Sequence, residues 1–210
     1  MKIIEPIAFL MNYFDGEEVM KFLELCGRTA YQSAKNITND SAEKFIRNII
    51  KRGHESVLEH FSCTFKIICD RGVMAELTRH RLASFTIEST RFCDYSKDGL
   101  TFIKPCFWQN GYKNFNCSNH CSAEWAGMMI SIENSYKYML NEGATPQEAR
   151  SILPNSLKTE IIMTANLREW RHILKLRTAK DAHPQMREVA KMILDALKRK
   201  LPVIFEDVGE

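Results

Sequence analysis

The chain has 210 residues, of which 45% are hydrophobic and 26% are charged, so it is long enough to bury the core of one domain. Its net charge of +3 and isoelectric point of about 8.4 are too small to favour a nucleic-acid-binding protein, although mild positive charge suits an enzyme with phosphate-bearing substrates. No apolar run is long enough to span a membrane and no secretory signal is visible, so we expect a cytoplasmic protein with no membrane partner.

Cysteine usage points to the same compartment. The chain has an odd number of cysteines without a repeated spacing, which favours reduced thiols over a disulfide framework. They stand at positions 26, 63, 69, 93, 106, 117 and 121.

Hydrophobic periodicity predicts the first elements. The stretch from Ile3 to Leu10 predicts a strand, and Glu17 to Cys26 predicts a helix. A second helix is expected from Ser41, with Asp40 or Ser41 as its cap and Gly53 as its stop.

The middle of the chain reads as a strand followed by a helix and a long loop. Phe61 to Cys69 is rich in β-branched and aromatic residues and predicts a strand, and Val73 to Arg79 predicts a short helix. Residues 94 to 121 predict a loop-rich insertion ahead of a long helix from about Ser122 to Leu140.

The last third predicts helices with clear start signals. Thr145 to Glu148 has the sequence of a capping box, and Asn166 to Glu169 repeats such a start ahead of a helix that runs to Leu176. A final helix is expected after Pro184. Because helices outnumber strands and do not alternate with them regularly, we predict an α+β protein of one domain over residues 1–210.

The densest polar run is Arg79 to Arg91, which holds three arginines, a histidine and several hydroxyl groups where a helix is expected to run out into a loop. Arginine binds phosphate with two parallel donors and keeps its charge, so the run is suited to an anionic ligand. A solvated basic helix end would have the same composition.

Within this run, Arg79-His80-Arg81 followed by Ser89 resembles the RHR-x7-S signature of the flavin-dependent thymidylate synthases. Three further segments resemble the same family in the same order, at residues 53–60, 149–154 and 166–177. The resemblance covers roughly residues 28 to 190.

The resemblance implies an enzyme that methylates dUMP to dTMP, with 5,10-methylenetetrahydrofolate as carbon donor and NADPH-reduced FAD as hydride donor. It also implies helices packed with a small, mainly antiparallel sheet, and a homotetramer whose active sites are shared between subunits, with no nucleic-acid partner. The chain has no GxGxxG fingerprint, which counts against a Rossmann oxidoreductase.

Carried over by position, the resemblance assigns two sets of binding residues. Those expected to contact FAD are Ser56, Arg79, His80, Arg81, Ile87, Asn166, Leu167, Arg168 and His172. Those expected to contact dUMP are Glu76, Leu77, Thr78, Arg79, Ile87, Glu88, Ser89, Thr90, Arg91, Arg150 and Arg177.

Arg177 is the predicted catalytic residue. A guanidinium cannot act as a base near neutral pH, but it can stabilise negative charge on the N3 to O4 edge of the pyrimidine.

Two positions depart from the family pattern. Ile87 lacks the usual polar side chain, so only its backbone contact carries over, although the adjacent Glu88 could substitute; Glu76 would place a carboxylate near the nucleotide unless an arginine pairs with it.

Other readings of particular residues stay open. His54 and His60, or the segment 117–121, could suggest a metal, but neither has a recognised ligand spacing and we predict no metal site; a capping box from Ser56 to Glu59 would explain those two residues. Cys93 would be the nucleophile if the chain used a thiolate mechanism.

Two further classes remain for the whole protein. A nucleic-acid-binding module or a structural interaction protein would be colourless when purified, whereas a flavoprotein would be yellow.

Overall fold

The computed structural model describes residues 1–107 and 120–209. By contact clustering the chain divides into two compact units. The first unit comprises Met1–Ile7, Ile67–Arg79 and Thr86–Ile161, and the second comprises Ala8–Lys66, His80–Phe85 and Ile162–Glu210. This division does not test whether residues 1–210 form a single domain, and that expectation stays a prediction.

Eight helices and six strands lie within the described ranges. The helices are α1 Gly16–Thr29, α2 Ser41–Lys51, α3 Arg71–Leu77, α4 His120–Asn141, α5 Pro146–Ala149, α6 Leu167–Arg177, α7 Pro184–Lys200 and α8 Pro202–Phe205. Short 3-10 helices cover Ala34–Asn36, Glu55–His60 and Arg150–Ile152. The strands are β1 Lys2–Ile4, β2 Ile7–Leu10, β3 Ser62–Asp70, β4 Ala83–Ile87, β5 Thr101–Ile103 and β6 Lys158–Asn166.

The strands form two sheets. Strands β1 and β5 pair in parallel, and a four-stranded sheet has the order β2-β3-β6-β4. Next to the two central strands, the N–H of Arg71 donates to the carbonyl of Asn155, and the N–H of Leu167 donates to that of Phe61. Because the residue number rises along one strand as it falls along the other, β3 and β6 are antiparallel. The predicted α+β class with a small, mainly antiparallel sheet is confirmed.

Most of the predicted elements are confirmed, and their caps explain where they start. Asn166 caps α6, since its Oδ1 accepts from the N–H of Glu169 at 2.8 Å. Glu148 accepts from the N–H of Thr145 at 2.8 Å, as the predicted capping box requires. After α2, Gly53 adopts a φ of +71°, the left-handed conformation that favours glycine at a helix end.

Several sequence-based expectations about elements are wrong. The expected strand from Ile3 to Leu10 is two strands, because Pro6, which has no N–H to donate to a ladder, stands between them. Asp40 is the N-cap residue of α2, one of the two predicted, but its side chain makes no cap bond. Ser56 and Glu59 do not form a capping box, because both lie inside a single 3-10 helix.

Three strands were not predicted. β4 occupies the part of the Arg79 to Arg91 run that was expected to be a loop, and β5 lies in the expected insertion. β6 has the clearest period, with Thr159, Ile161, Met163 and Ala165 buried in alternation with half-buried neighbours.

Each unit has its own apolar core. In the first unit it is built from Leu100, Phe102, Met129, Tyr136, Ala149 and Leu157. In the second, the Trp170 ring meets Phe65 edge-on at 5.1 Å and its Nε1 donates to the carbonyl of Cys63 at 3.1 Å. This anchors α6 in its unit. None of the helices in the described ranges combines the length and apolar character that crossing a bilayer demands.

Candidate active site

The second unit contains a cavity of about 1000 Å³. Three cationic side chains line it, those of Arg81, Arg168 and Lys175, together with the polar groups of Asn166 and His172. Cations and hydrogen-bonding groups around a cavity of this size suit an anionic ligand that also carries uncharged polar groups.

Helix α6 builds one wall of this cavity. Arg168, His172 and Lys175 follow a spacing of four and then three residues, which places them on one helical face. Glu59 pairs with the exposed guanidinium of Arg168, and hydrogen bonding to Glu59 raises the pKa of Arg168. Lys175 lies 3.9 Å from a carboxylate oxygen of Glu55. The cavity is therefore lined by cationic and anionic side chains, and the carboxylates of Glu55 and Glu59 partly neutralise Lys175 and Arg168.

A buried arginine lies next to these residues on the same helix. Arg171 is 1% exposed, and its two Nη atoms bond to the carboxylate of Asp207 at 2.6 and 2.8 Å. Its Nη2 also donates to Glu55 at 3.1 Å, and its Nη1 donates to the carbonyl of Ile204. Hydrogen bonding to Arg171 lowers the pKa of Asp207. This network fixes Glu55 at the cavity and ties the C-terminal segment to α6.

At the end of α6, Arg177 meets His80. The Nε–H of Arg177 donates to Nε2 of His80 at 3.0 Å, and the imidazole is only 6% exposed. Burial lowers the pKa of His80 to about 4, helped by the charges of Arg177 and His172. His80 is therefore neutral at physiological pH and accepts a hydrogen bond from a cation.

His80, Glu169 and His172 also place potential metal-ligand atoms within 4.8 Å of one another. However, Nε2 of His80 already accepts from Arg177, so a guanidinium charge stands beside the cluster and opposes a divalent cation. The segment 117–121 was the other metal site considered from the sequence, and its residues 117–119 lie outside the described ranges. Cys121 is exposed and is not in a disulfide.

The residues expected to bind dUMP belong to the first unit, with the exception of Arg177. Arg79, Arg91 and Arg150 are exposed there. The hydroxyl of Ser89 accepts from the N–H of Arg91 at 3.3 Å, and Thr90 is buried. Glu76, Leu77 and Thr78 lie at the end of α3 and just after it.

Glu88, which follows β4, is held by groups of its own unit. Its carboxylate accepts from the Tyr95 hydroxyl at 2.7 Å and pairs with Lys158 at 2.8 Å. The neighbouring Ile87 is the last residue of β4. The carboxylate that could have substituted for a polar side chain at position 87 is thus already engaged.

The residues expected to bind FAD belong to the second unit, with the exceptions of Arg79 and Ile87. The structure brings Arg81, Asn166, Arg168 and His172 to the cavity. Ser56 instead lines another cavity of the same unit, of about 570 Å³. The side chains of His80 and Leu167 are buried and do not line the larger cavity.

Sequence reasoning missed several charged residues of this region. Glu55, Glu59 and Lys175 line the cavity, and Arg171 supports it. The helical spacing from Arg168 to Lys175 was a readable signal, because it repeats a polar group on one face of α6. The contacts of Arg171 had no such signal, since its partners lie far away in sequence.

Fold and site together define a class: an α+β protein with a cation-bearing cavity and an arginine aligned by a neutral histidine, suited to anionic ligands of nucleotide size. The sequence model of the family described as Thy1, thymidylate synthase complementing protein, matches residues 10–203. The chain belongs to this family.

Individual relatives agree with the family match. The chain is 33% identical over 177 residues to the flavin-dependent thymidylate synthase of Pyrococcus furiosus, covering 83% of this chain and 70% of the relative. It is 30% identical over 210 residues to that of Geobacter sulfurreducens, covering 97% and 86%. Among solved structures, a UMP/dUMP methylase PolB from Streptomyces cacaoi bound with 5-Br dUMP has a TM-score of 0.79 at 23% identity, covering 98% and 96% of the two chains, which shows a shared fold.

Proposed function

We propose that the protein is a flavin-dependent thymidylate synthase that methylates carbon 5 of dUMP to give dTMP. Its carbon donor is 5,10-methylenetetrahydrofolate, and NADPH supplies the reducing equivalents through FAD. The proposal is supported by the family match over residues 10–203 and by the relatives that carry this name.

The observation that carries the proposal is the position, burial and hydrogen bonding of Arg177. It is the last residue of α6, it is half-buried, and its Nε is anchored on the neutral imidazole of His80. A cation that is held in place by an uncharged partner can stabilise negative charge that develops on a substrate.

The residues of the second unit fit FAD. The cavity of about 1000 Å³ offers Arg81, Arg168 and Lys175 for phosphate oxygens, and Asn166 and His172 for hydrogen bonds to the uncharged parts. When bound there, FAD carries hydride from NADPH. The cavity residues bind and orient it, and in the first unit Arg79, Ser89, Arg91 and Arg150 are proposed to hold dUMP.

The chemical demand on the protein follows from the substrate. Carbon 5 of uracil is a poor nucleophile, and Arg177 is proposed to draw electron density onto the N3 to O4 edge so that carbon 5 can bond to the methylene carbon. The proton on carbon 5 leaves, both bonds from the methylene carbon to the folate nitrogens N5 and N10 break as those nitrogens take up protons, and a hydride completes the methyl group. Because NADPH supplies that hydride, the folate leaves as tetrahydrofolate.

A homotetramer with shared active sites is the proposed assembly. Phe9 and Met11 are 44% and 50% exposed on and just beyond the edge strand β2, so apolar surface is available for another subunit. Ser56 lines a different cavity from Arg81 and Arg168, as expected if one FAD takes residues from more than one chain. Light scattering decides between the states, and a stable monomer holding stoichiometric FAD would exclude shared sites.

The cytoplasm is the proposed location. All six cysteines within the described ranges are free thiols, which agrees with a reducing compartment.

Two measurements on purified protein test the function. The visible spectrum should show flavin absorption at about 450 nm, which a nucleic-acid-binding module or a structural protein would lack. The FAD-loaded protein, given dUMP, methylenetetrahydrofolate and NADPH, should form dTMP, with none formed when any one is omitted. A flavin-loaded protein that forms no dTMP under these conditions contradicts the proposal.

A further inference from the structure

The bond between Arg177 and His80 fixes the tautomer of the histidine. An arginine side chain has only donors, so Nε2 of His80, which lies 3.0 Å from the Arg177 Nε, must carry a lone pair. In a neutral imidazole the proton then sits on Nδ1. That atom faces Glu169, whose Oε1 lies 3.8 Å away, beyond direct hydrogen-bond range but close enough for its negative charge to favour an N–H pointing toward it.

Both partners in this arrangement are held in place. His80 is 6% exposed and Glu169 is 8% exposed, so both side chains are largely buried, with Glu169 at the lining of the cavity. The backbone of Glu169 is fixed as well, because its N–H donates to the capping side chain of Asn166 at 2.8 Å. The helix cap and the buried imidazole thus form one rigid support for Arg177.

Among the residues that the structure describes, three ionisable groups face His80. Glu169 lies toward Nδ1, Arg177 lies at Nε2, and the ring of His172 stands edge-on with its centroid 6.2 Å away. Burial lowers the pKa of His80 to about 4, with smaller contributions from Arg177 and His172. The imidazole stays neutral through the physiological range despite the nearby carboxylate.

Neutrality has a specific consequence for the arginine. A carboxylate at the position of Nε2 would hold the guanidinium equally well but would also cancel much of its charge. A neutral acceptor holds the plane of the guanidinium without supplying a counter-charge. At this one contact, His80 holds the guanidinium without neutralising it.

We propose that His80 is a positioning residue that aims the Arg177 guanidinium at the pyrimidine through Nε2, with Glu169 selecting the tautomer that leaves Nε2 free to accept. This inference rests on the proposed function, and it gives His80 a role through Arg177 in place of the FAD contact expected from the resemblance, since His80 is buried and does not line the cavity proposed for FAD.

The tautomer can be measured directly in the wild-type FAD-loaded enzyme. Nitrogen-15 NMR of labelled histidine, assigned with His80→Gln, should show His80 protonated on Nδ1 and unprotonated on Nε2 at neutral pH. A proton on Nε2, or a cationic ring at that pH, overturns the proposal whatever the variants do.

Two variants separate positioning from packing. His80→Phe fills the space without an acceptor, and it should lower kcat for dTMP formation about tenfold, with FAD content and KM for dUMP within about twofold of wild type. His80→Gln supplies a neutral acceptor oxygen and should restore kcat to within about threefold of wild type. Equal kcat in both variants, or a kcat loss that tracks FAD loss, contradicts the positioning role.

A double-mutant cycle tests whether His80 acts through Arg177. Adding His80→Phe to Arg177→Ala should lower kcat by less than about twofold more, because the arginine to be aimed is gone. A further tenfold loss would mean that His80 acts independently, and the proposal would fail. Wild-type protein that forms no dTMP would instead defeat the proposed function, while the NMR result would still report the tautomer.

Discussion

Helix α6 carries two arginines that sit in opposite electrostatic settings. Arg171 is buried against two carboxylates, those of Glu55 and Asp207, which balance its charge. Arg177 is half-buried against the neutral imidazole of His80. The same side chain, on the same helix, thus has a charged partner at Arg171 and a neutral partner at the Nε of Arg177, the residue proposed to act on the substrate.

The largest expected effect concerns stability at the first of these arginines. Arg171→Met keeps much of the volume but leaves the Glu55 and Asp207 carboxylates without their main partner, so we expect a loss of about 3 kcal/mol in the free energy of unfolding. Urea unfolding of the FAD-loaded protein measures it.

Arg47→Ala is the matched control for that variant. Arg47 also joins a helix to the C-terminal segment, through Glu206, but the pair is exposed and should contribute little. Equal destabilisation by the two variants would show that burial of Arg171 is not what matters.

The second effect concerns turnover. Arg177→Ala should lower turnover on the order of 100-fold, which corresponds to ~2.7 kcal/mol, while FAD content and melting temperature stay near wild type. Arg177→Lys should recover little, because a point charge does not reproduce the planar pair of donors. The assay is dTMP formation alongside flavin absorbance.

A simpler role for Arg177 would be to stabilise the helix end. Arg199 is an exposed arginine in the last turn of α7 and has the same relation to a helix dipole. Arg199→Ala should leave turnover unchanged. If Arg177→Ala behaved like Arg199→Ala, the catalytic assignment would be wrong.

The third effect is a pH dependence that the neutral histidine imposes. In the unfolded chain His80 binds a proton near its ordinary pKa of 6.5, but the folded protein resists protonation until about pH 4. Between these values the unfolded state binds more protons, so stability falls as the pH falls, by up to about 1.4 kcal/mol for each pH unit, and the loss levels off below the folded pKa.

Comparing wild type with His80→Gln isolates this contribution. The free energy of unfolding should fall more steeply for wild type than for the variant as the pH is lowered from about 6.5 to about 4.5, and the two slopes should agree above about pH 7. Parallel curves over the whole range would mean that His80 is not held neutral.

The smallest expected effect is at Cys93, the residue of the alternative thiolate mechanism. Cys93 is half-buried with a free thiol. Cys93→Ala should keep dTMP formation within about tenfold of wild type, less than ~1.4 kcal/mol in barrier terms. Complete loss of turnover in a folded, flavin-loaded Cys93→Ala protein would restore the thiolate mechanism and displace Arg177 from its role.

Local signals were enough to predict α6, its cap and its end, whereas the roles assigned to its residues stay predictions. The Asn166 cap, the helical period and the end of the helix at Arg177 all depend on residues close in sequence. The His80 contact joins residues 97 positions apart, and the Asp207 contact of Arg171 joins α6 to the C-terminal segment. Such contacts depend on how distant segments pack, and no periodicity in one segment reports them.

The most direct test of the contrast between the two arginines is to exchange their kind of partner. His80→Gln and His80→Glu place an acceptor oxygen near the Arg177 Nε and differ by one negative charge. With FAD content and melting temperature matched, kcat for dTMP formation should stay within about threefold of wild type in His80→Gln and fall at least about tenfold further in His80→Glu, because the carboxylate neutralises the guanidinium. Equal kcat in the two variants would contradict the claim that turnover depends on an uncharged partner at the Arg177 Nε.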